Sequence, residues 1–344
     1  MNCPVTAEDV DNAEKIYGPD IGTRKGKTTR KKPTPVKRDE IEAPKELIEK
    51  NQDITLCMDI MFINGMPMLT TIDRAIRFRS MVPLKTRTHE DMYKGIDHIL
   101  RNYNKAGFQI KTVNCDREFK GLMDPIKDKL DADMNYMSTD EHVPEAERNN
   151  RTIGERIRAT YHNLPYMKIP RVMLRHLGMV AQQQLNLFPA KGGISEYLSP
   201  HMIMSKKNID YNKHCQFTFG TYVQAIQENN PKNTQAPRTI DAIYLRLLKN
   251  TQGGHEVMNL ATGAVITRHR VWEQPATEMV IKAVEQMAER QGIETLKLTG
   301  RHGTRLVPTT WTPGVDVNDD GNDAEKWGER EPATAGVFRV FWTY

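Results

Sequence analysis

The chain has 344 residues, 38% of them hydrophobic and 27% charged, enough for one core of ordinary size and a smaller second one. Forty-nine Lys and Arg against forty-four Asp and Glu leave a formal net charge of +5, so the distribution of charge matters more than its total. No apolar stretch reaches the ~20 residues of a membrane helix, no charged-then-apolar leader suggests secretion, and Cys3, Cys57, Cys115 and Cys215 lack the spacing of a disulfide or zinc framework.

Residues 1–50 read as a basic, flexible N-terminal arm. Between Thr23 and Arg38 stand Arg24, Lys25, Lys27, Arg30, Lys31, Lys32, Lys37 and Arg38, with no acid. Such a run cannot bury itself. It is either a solvated tail with a nuclear-import patch or an arm on DNA. In the second case Lys25, Lys27, Arg30, Lys31 and Lys32 contact phosphate, where cations gain by releasing counterions.

Residues 51–205 carry a different pattern. Ile54 to Ile63 is a mostly apolar run, and Asn64-Gly65 supplies a hairpin turn. Met66 to Asp73 and Phe78 to Pro83 read as the next two strands. His89 to Lys105 follows as an amphipathic helix, with Met92, Ile96, Ile99, Leu100 and Tyr103 on one face and Gly107 beyond its end. Phe108 to Cys115 is a strand, Phe119 to Leu130 a helix interrupted by Pro125, and Asn135 to Met137 a short strand. Glu145 to His162 and Arg171 to Leu187 are helices. Three antiparallel strands followed by alternating helices and strands describe an α/β fold of the ribonuclease-H type. It has a mixed five-stranded sheet and flanking helices.

In residues 206–275, Phe217 to Gln227, Thr239 to Leu248, Glu256 to Leu260 and Val265 to Trp272 are short strands with Gly and Asn between them, the pattern of a small β-barrel. Residues 276–344 hold a helix, Glu278 to Gln291, and then a tail. Its Pro, Gly, Asn and Asp content from Gly300 onward predicts disorder.

Three acids sit where such a fold would gather them: Asp59 in mid-strand, Asp116 at a strand end, and Glu147 near a helix start. An acid inside an apolar strand is costly unless it is paired, protonated or bound to a metal. Carboxylates suit Mg²⁺, and a pair of such ions drives in-line phosphoryl displacement. Pattern alone leaves other roles open: a buried acid bonded to backbone for Asp59, a turn residue for Asp116, and a first-turn acid favoured by the helix dipole for Glu147.

Met58-Asp-Ile-Met-Phe-Ile-Asn-Gly65, Val113-Asn-Cys-Asp-Arg-Glu-Phe119 and, most specifically, Ala146-Glu-Arg-Asn-Asn-Arg-Thr152 resemble three stretches of the integrases of copia-type LTR retrotransposons. Ser199-Pro200, Phe219-Gly220 and Arg268-His-Arg-Val-Trp272 resemble later parts of the same family. The resemblance covers roughly two thirds of the chain, from Asp53 to Trp272. It implies a polynucleotidyl transferase in which a DNA 3′-hydroxyl attacks a target phosphodiester. Asp59, Asp116 and Glu147 would be its catalytic acids and its Mg²⁺ or Mn²⁺ ligands, with Glu145 the competitor for the third place. Arg148, Arg151, Arg156 and Arg158 follow on the same helix, to face DNA or to pair with helix acids. DNA ends and target, self-association and nuclear access complete what the family implies.

The sequence departs from that pattern in two places. Asp116-Arg-Glu-Phe119 lacks the Asn-Gly-Gly stretch usual before Glu-Phe, which makes the Asp116-to-Glu147 interval short. A His-His-Cys-Cys zinc module is not found, since the first histidine is His89. A DNA-binding relic that has lost catalysis and a plain nuclease of the same fold are the alternatives. Asp316 to Asn322 resembles half of a Ca²⁺ loop, but Trp327 stands where the closing Glu belongs. His162, His176 and His214 share no ligand spacing, and Met58, Met61, Met66 and Met68 read as core.

Overall fold

A computed structural model describes residues 4–29, 39–41, 44–130, 132–136, 143–227, 235–248, 253–300, 303 and 306. Helices α1 (Ala7–Tyr17), α2 (Ile21–Lys27) and α3 (Lys45–Lys50) precede β1 (Asp53–Ile63), β2 (Met66–Asp73) and β3 (Arg79–Pro83). Then come α4 (His89–Ala106), β4 (Gln109–Cys115), a 3-10 turn (Arg117–Leu122), α5 (Met123–Leu130), β5 (Asp133–Tyr136), α6 (Pro144–His162) and α7 (Arg171–Leu185). Two short helices, α8 (Pro200–Ser205) and α9 (Tyr211–His214), lead to β6 (Tyr222–Ile226), β7 (Thr239–Leu247), β8 (His255–Asn259), β9 (Val265–Arg268) and β10 (Val271–Glu273). The described chain closes with α10 (Glu278–Arg290) and β11 (Leu298–Thr299). Among the described residues no helix is long and apolar enough to cross a membrane.

The main sheet is mixed and runs β3-β2-β1-β4-β5. β1 pairs antiparallel with β2 and parallel with β4, because Asn64 and Gly65 take positive φ (47° and 76°) and reverse the chain, whereas α4 carries it over one face to β4. The α4 side chains form that layer: Met92, Ile96, Ile99, Leu100 and Tyr103 are buried against Ile54, Leu56, Met58 and Ile60 of β1. Thr88 caps the start of α4, and Gly107 ends it in the left-handed region.

The opposite face of β1 carries Cys57, Asp59, Met61 and Ile63, since side chains alternate along a strand. Met61 and Ile63 share a second core with Ile153 and Ile157 of α6, Met173, Leu174 and Leu177 of α7, and Val280 and Val284 of α10. Burying one such aliphatic side chain contributes ~1.5–3 kcal/mol. That same core includes Ile243 and Leu245 of β7, so the C-terminal sheet is packed directly on α7.

The C-terminal sheet is antiparallel, in the order β10-β6-β7-β8-β9. The single strand expected from Val265 to Trp272 is two. β9 pairs with β8 at one edge and β10 with β6 at the other, and one straight segment cannot serve both edges. β11 was not expected either. It adds a sixth strand to the main sheet beside Phe62 and Ile63, held by Asn64, which donates to the Thr295 carbonyl and accepts from Lys297 N–H. Two residues are too few for periodicity to reveal.

Regular structure also forms within the segment read as a flexible arm. Thr6 and Asp9 make a reciprocal capping box on α1, Asp20 caps α2, and the Lys25 ammonium meets Asp241 of β7 at 2.9 Å. Arg24 lies over the Trp272 ring. Arg30, Lys31 and Lys32, and nearly all of the tail from Gly300, fall outside the described residues.

Two consequences are measurable. A Cβ added at Gly178 of α7 would lie 2.6 Å from Ile63 Cδ1 and 2.9 Å from Met81 Sδ. Gly178→Ala therefore costs ~1–3 kcal/mol by overpacking, read as a lowered midpoint in urea at unchanged slope. The second concerns pH. Burial, with Arg246 and Arg175, holds the His176 imidazole well below its ordinary value despite Glu256, and burial with His269 pushes His255 down to about 4. The unfolded chain takes up protons below about pH 6.5 while the folded one does not, so stability is full above that value and falls towards pH 4. A thermal melt series should show it, and His255→Phe should shallow the slope, by up to ~3 kcal/mol over the window.

Candidate active site

β1 is buried on both faces, and Asp59 is its one acid between Ile54 and Ile63. The side chain is half-buried and points to the α6 side. Its Oδ1 accepts the Ile60 N–H at 2.7 Å, and its Oδ2 accepts Asn150 Nδ2–H at 2.7 Å. Thr70, opposite Asp59 on β2, donates its hydroxyl to Asn150 Oδ1 at 2.6 Å and fixes the amide's orientation. Asn150 is wholly buried, and its two hydrogen bonds account for its place on the buried stripe of α6.

Asp116 follows β4 directly in extended backbone (φ −75°, ψ 163°), at the N-cap position of the 3-10 turn. The parallel β1–β4 ladder runs to Met58 opposite Cys115, both in the α4-side core. The next residue of each strand, Asp59 and Asp116, therefore leaves the sheet on the α6 side. Strand spacing puts their Cα atoms about 5 Å apart. The two acids thus directly follow the last paired residues of neighbouring parallel strands.

α6 stands over them. Pro144 occupies its first turn, where the missing N–H is no loss, and Glu145 and Glu147 lie in the same turn, favoured by the helix dipole. Glu147 is exposed, one turn before the Asn150 that touches Asp59. Glu145 is directed elsewhere, meeting the Arg74 guanidinium at 2.7 Å and lying near Cys57. Burial, reinforced by the Glu145 charge, pushes the Cys57 thiol up and leaves it inert at neutral pH.

Among the described residues no group of three or more His, Cys, Asp or Glu is placed to hold a metal ion, and both Asp59 oxygens already accept hydrogen bonds. Asp59 and Asp116 are adjacent, but Glu147 does not complete a ligand set with them.

The basic candidates divide. Arg148, Arg151 and Arg156 are exposed on α6 and Arg158 is half-buried. Burial raises the Glu155 carboxyl, and Arg151 and Arg158 draw it back, which is the helix pairing expected for part of the set. Lys27 is exposed at the end of α2. Lys25 is instead committed to Asp241. Burial would raise that carboxyl, but Tyr222, Lys25 and Gln224 donate to it and hold it below its ordinary value. Sequence reasoning missed Asn149, Asn150, Thr70 and Arg79. The available signal was the pair of asparagines on the buried stripe of α6, between Ala146 and Ile153. No family model matches the chain, and no curated protein is significantly similar to it.

The Asn150 amide has a specific test. Asn150→Asp sets a second carboxylate against Asp59, so stability should fall by roughly 2–4 kcal/mol at pH 7. It should recover on acidification, as one of the two takes up a proton at a raised pKa. Denaturant midpoints at pH 7 and pH 5 for the variant and wild type would show this. A variant equally destabilised at both values would contradict the contact.

Proposed function

We propose that this chain is an integrase-type DNA-strand transferase of the copia retrotransposon kind, with a ribonuclease-H-like core and a small C-terminal barrel. The observation that carries the proposal is the adjacency of Asp59 and Asp116 on neighbouring parallel strands beneath the first turns of α6. The mixed strand order β3-β2-β1-β4-β5, with helices on both faces, supports the core. The two edge strands of the second sheet are separated only by His269 and Arg270, a connection that requires the sheet to curl strongly and so supports the barrel.

In the implied reaction the 3′-hydroxyl oxygen of an element end attacks the target phosphorus. One phosphodiester bond forms as another breaks, the target's own 3′-oxygen leaves with the proton, and no protein nucleophile takes part. The roles of Asp59, Asp116 and Glu147 as catalytic acids come from the resemblance of their motifs. Arg148, Arg151 and Arg156 offer exposed cations for duplex phosphate. Self-association and work in the nucleus belong to the same proposal.

A second reading has its own observation. The Asp59 carboxylate committed to Ile60 N–H and Asn150 favours a DNA-binding relative that no longer joins DNA. A strand-transfer assay separates the two, using duplexes that mimic element ends, a plasmid target, and Mg²⁺ or Mn²⁺. The transferase reading expects joined product, reduced at least a hundredfold in Asp116→Asn and in Glu147→Gln. Salt-sensitive DNA binding with no joined product under either ion would sink it in favour of the relative. Cleavage without joining would indicate a nuclease.

A further inference from the structure

The turn between β2 and β3 is built around one carboxylate. Asp73 is fully buried and accepts the N–H groups of Ile76 (2.5 Å), Arg77 (3.2 Å) and Phe78 (3.0 Å) and the hydroxyl of Tyr103 (2.8 Å). Wrapping the chain this tightly forces Arg77 to φ 62°, a conformation that costs a non-glycine residue of the order of 1 kcal/mol. The strain fixes where the Arg77 side chain goes. A Cβ added at the exposed Gly192 would lie 3.8 Å from its guanidinium, so Arg77 reaches the 190s loop at the surface.

Arg79 emerges two residues later on the α6 face and donates from Nε to Asn149 Oδ1 at 3.1 Å. Its backbone is pinned as well: its N–H donates to Asn186 Oδ1, and its carbonyl accepts from Gln182 of α7 and from Asn186 just beyond it. Burial and the neighbouring Arg77 charge hold the Arg79 guanidinium below its ordinary value, with Asp73 opposing them. The two cations repel each other in a half-buried place. Among the described residues neither has a carboxylate at ion-pair distance. Two buried donors here also lack an acceptor: Arg77 Nε, and Nδ2 of Asn149, a residue only 2% exposed.

Unpartnered donors beside two guanidinium groups that no described carboxylate contacts are suited to an anion. Folding alone gives no reason to keep them, since each buried unsatisfied donor costs roughly 1–3 kcal/mol. Planar guanidinium forks match phosphate oxygens bidentately, and a glycine at the mouth leaves room for a backbone to approach. The position is suited to a polymer. Arg79 lies opposite Ile72, which lies opposite Cys57, two residues from Asp59 on the same sheet face. Strand spacing and rise put Arg79 roughly 12 Å from Asp59.

We propose that Arg77, Arg79 and Asn149 form a phosphate pocket that holds a backbone phosphodiester of the nucleic-acid strand running over Asp59 and Asp116. The strand's identity rests on the function proposed above, whereas the phosphate chemistry stands on the pocket itself. The occupant is a polynucleotide phosphate, with free phosphate only its probe.

Arg77→Gln and Arg79→Gln in the full chain test this, singly and together. Thermal melts with and without inorganic phosphate and anisotropy titrations of labelled DNA against salt are the two measurements. Phosphate should raise the melting temperature of the wild type but not of Arg77→Gln. In phosphate-free buffer Arg77→Gln should melt no lower than wild type, because an unpaired charge has been removed. Its DNA affinity should fall about tenfold and its log–log salt slope by about one.

Unchanged DNA affinity and slope in the double variant would overturn the pocket. So would a lower melting temperature of Arg77→Gln in phosphate-free buffer, which would make the arginine structural. Phosphate protection without any change in DNA affinity would overturn the nucleic-acid assignment. Arginine-dependent DNA binding without joined product would support the pocket and count only against the reaction. Joining at wild-type rate in the double variant would do the reverse.

Discussion

The structure depends on a strand packed on both faces. β1 is covered on one face by α4 and on the other by α6 and α7, so most residues between Ile54 and Ile63 must be satisfied inside the protein. Apolar side chains meet that requirement at eight of the ten positions, all but Thr55 and Asp59. The charged one is Asp59, whose carboxylate cannot be hydrated on all sides and so requires donors. The Ile60 N–H supplies one and Asn150 the other, and Thr70 holds Asn150 in place. The position of α6 on the sheet is thus set by a polar network as well as by Ile153 and Ile157. Glu147 and the α6 arginines take their positions from it.

A second polar centre organises the neighbouring edge. Asp73 draws four donors to itself and so closes the β2–β3 turn, which strains Arg77 and delivers Arg79 to the α6 face. Burial works against charge on Asp73, and the surrounding N–H groups and the Tyr103 hydroxyl counter it. The two carboxylates play opposite parts. Asp73 is enclosed and committed to holding backbone, whereas Asp59 is half-buried beside Asp116 at the open end of the parallel pair.

The C-terminal sheet is part of the same body. Ile243, Leu245 and Met258 enter the core shared by α6, α7 and α10, and β11 returns the chain to the main sheet beside Asn64. Lys25 and Arg24 of α2 dock on the far strands through Asp241 and Trp272. The buried His176 lies 3.6 Å from Glu256 at this junction, too far for a hydrogen bond. The contact between the layers is therefore mainly apolar and carries a buried imidazole that resists protonation.

By itself the sequence determined the regular elements whose side chains repeat. The hairpin at Asn64-Gly65, α4 with its five-residue apolar stripe, α6 and α7, and the strand ending at Cys115 follow from periods of two and of about 3.6 residues, which local chain geometry enforces. It also named Asp59 and Asp116, because an acid in an apolar run or at its end stands out. Only the tertiary structure decided what these acids touch. Asn150, Thr70 and Asn149 are ordinary residues until the folded chain brings α6 to β1 and β2. Lys25 reads as a DNA contact until Asp241 is found beside it, from 216 residues along the chain. The same holds for the two-residue β11 and for the division of Val265–Trp272 between opposite sheet edges. Such features depend on partners distant in sequence, and local propensity carries no information about them.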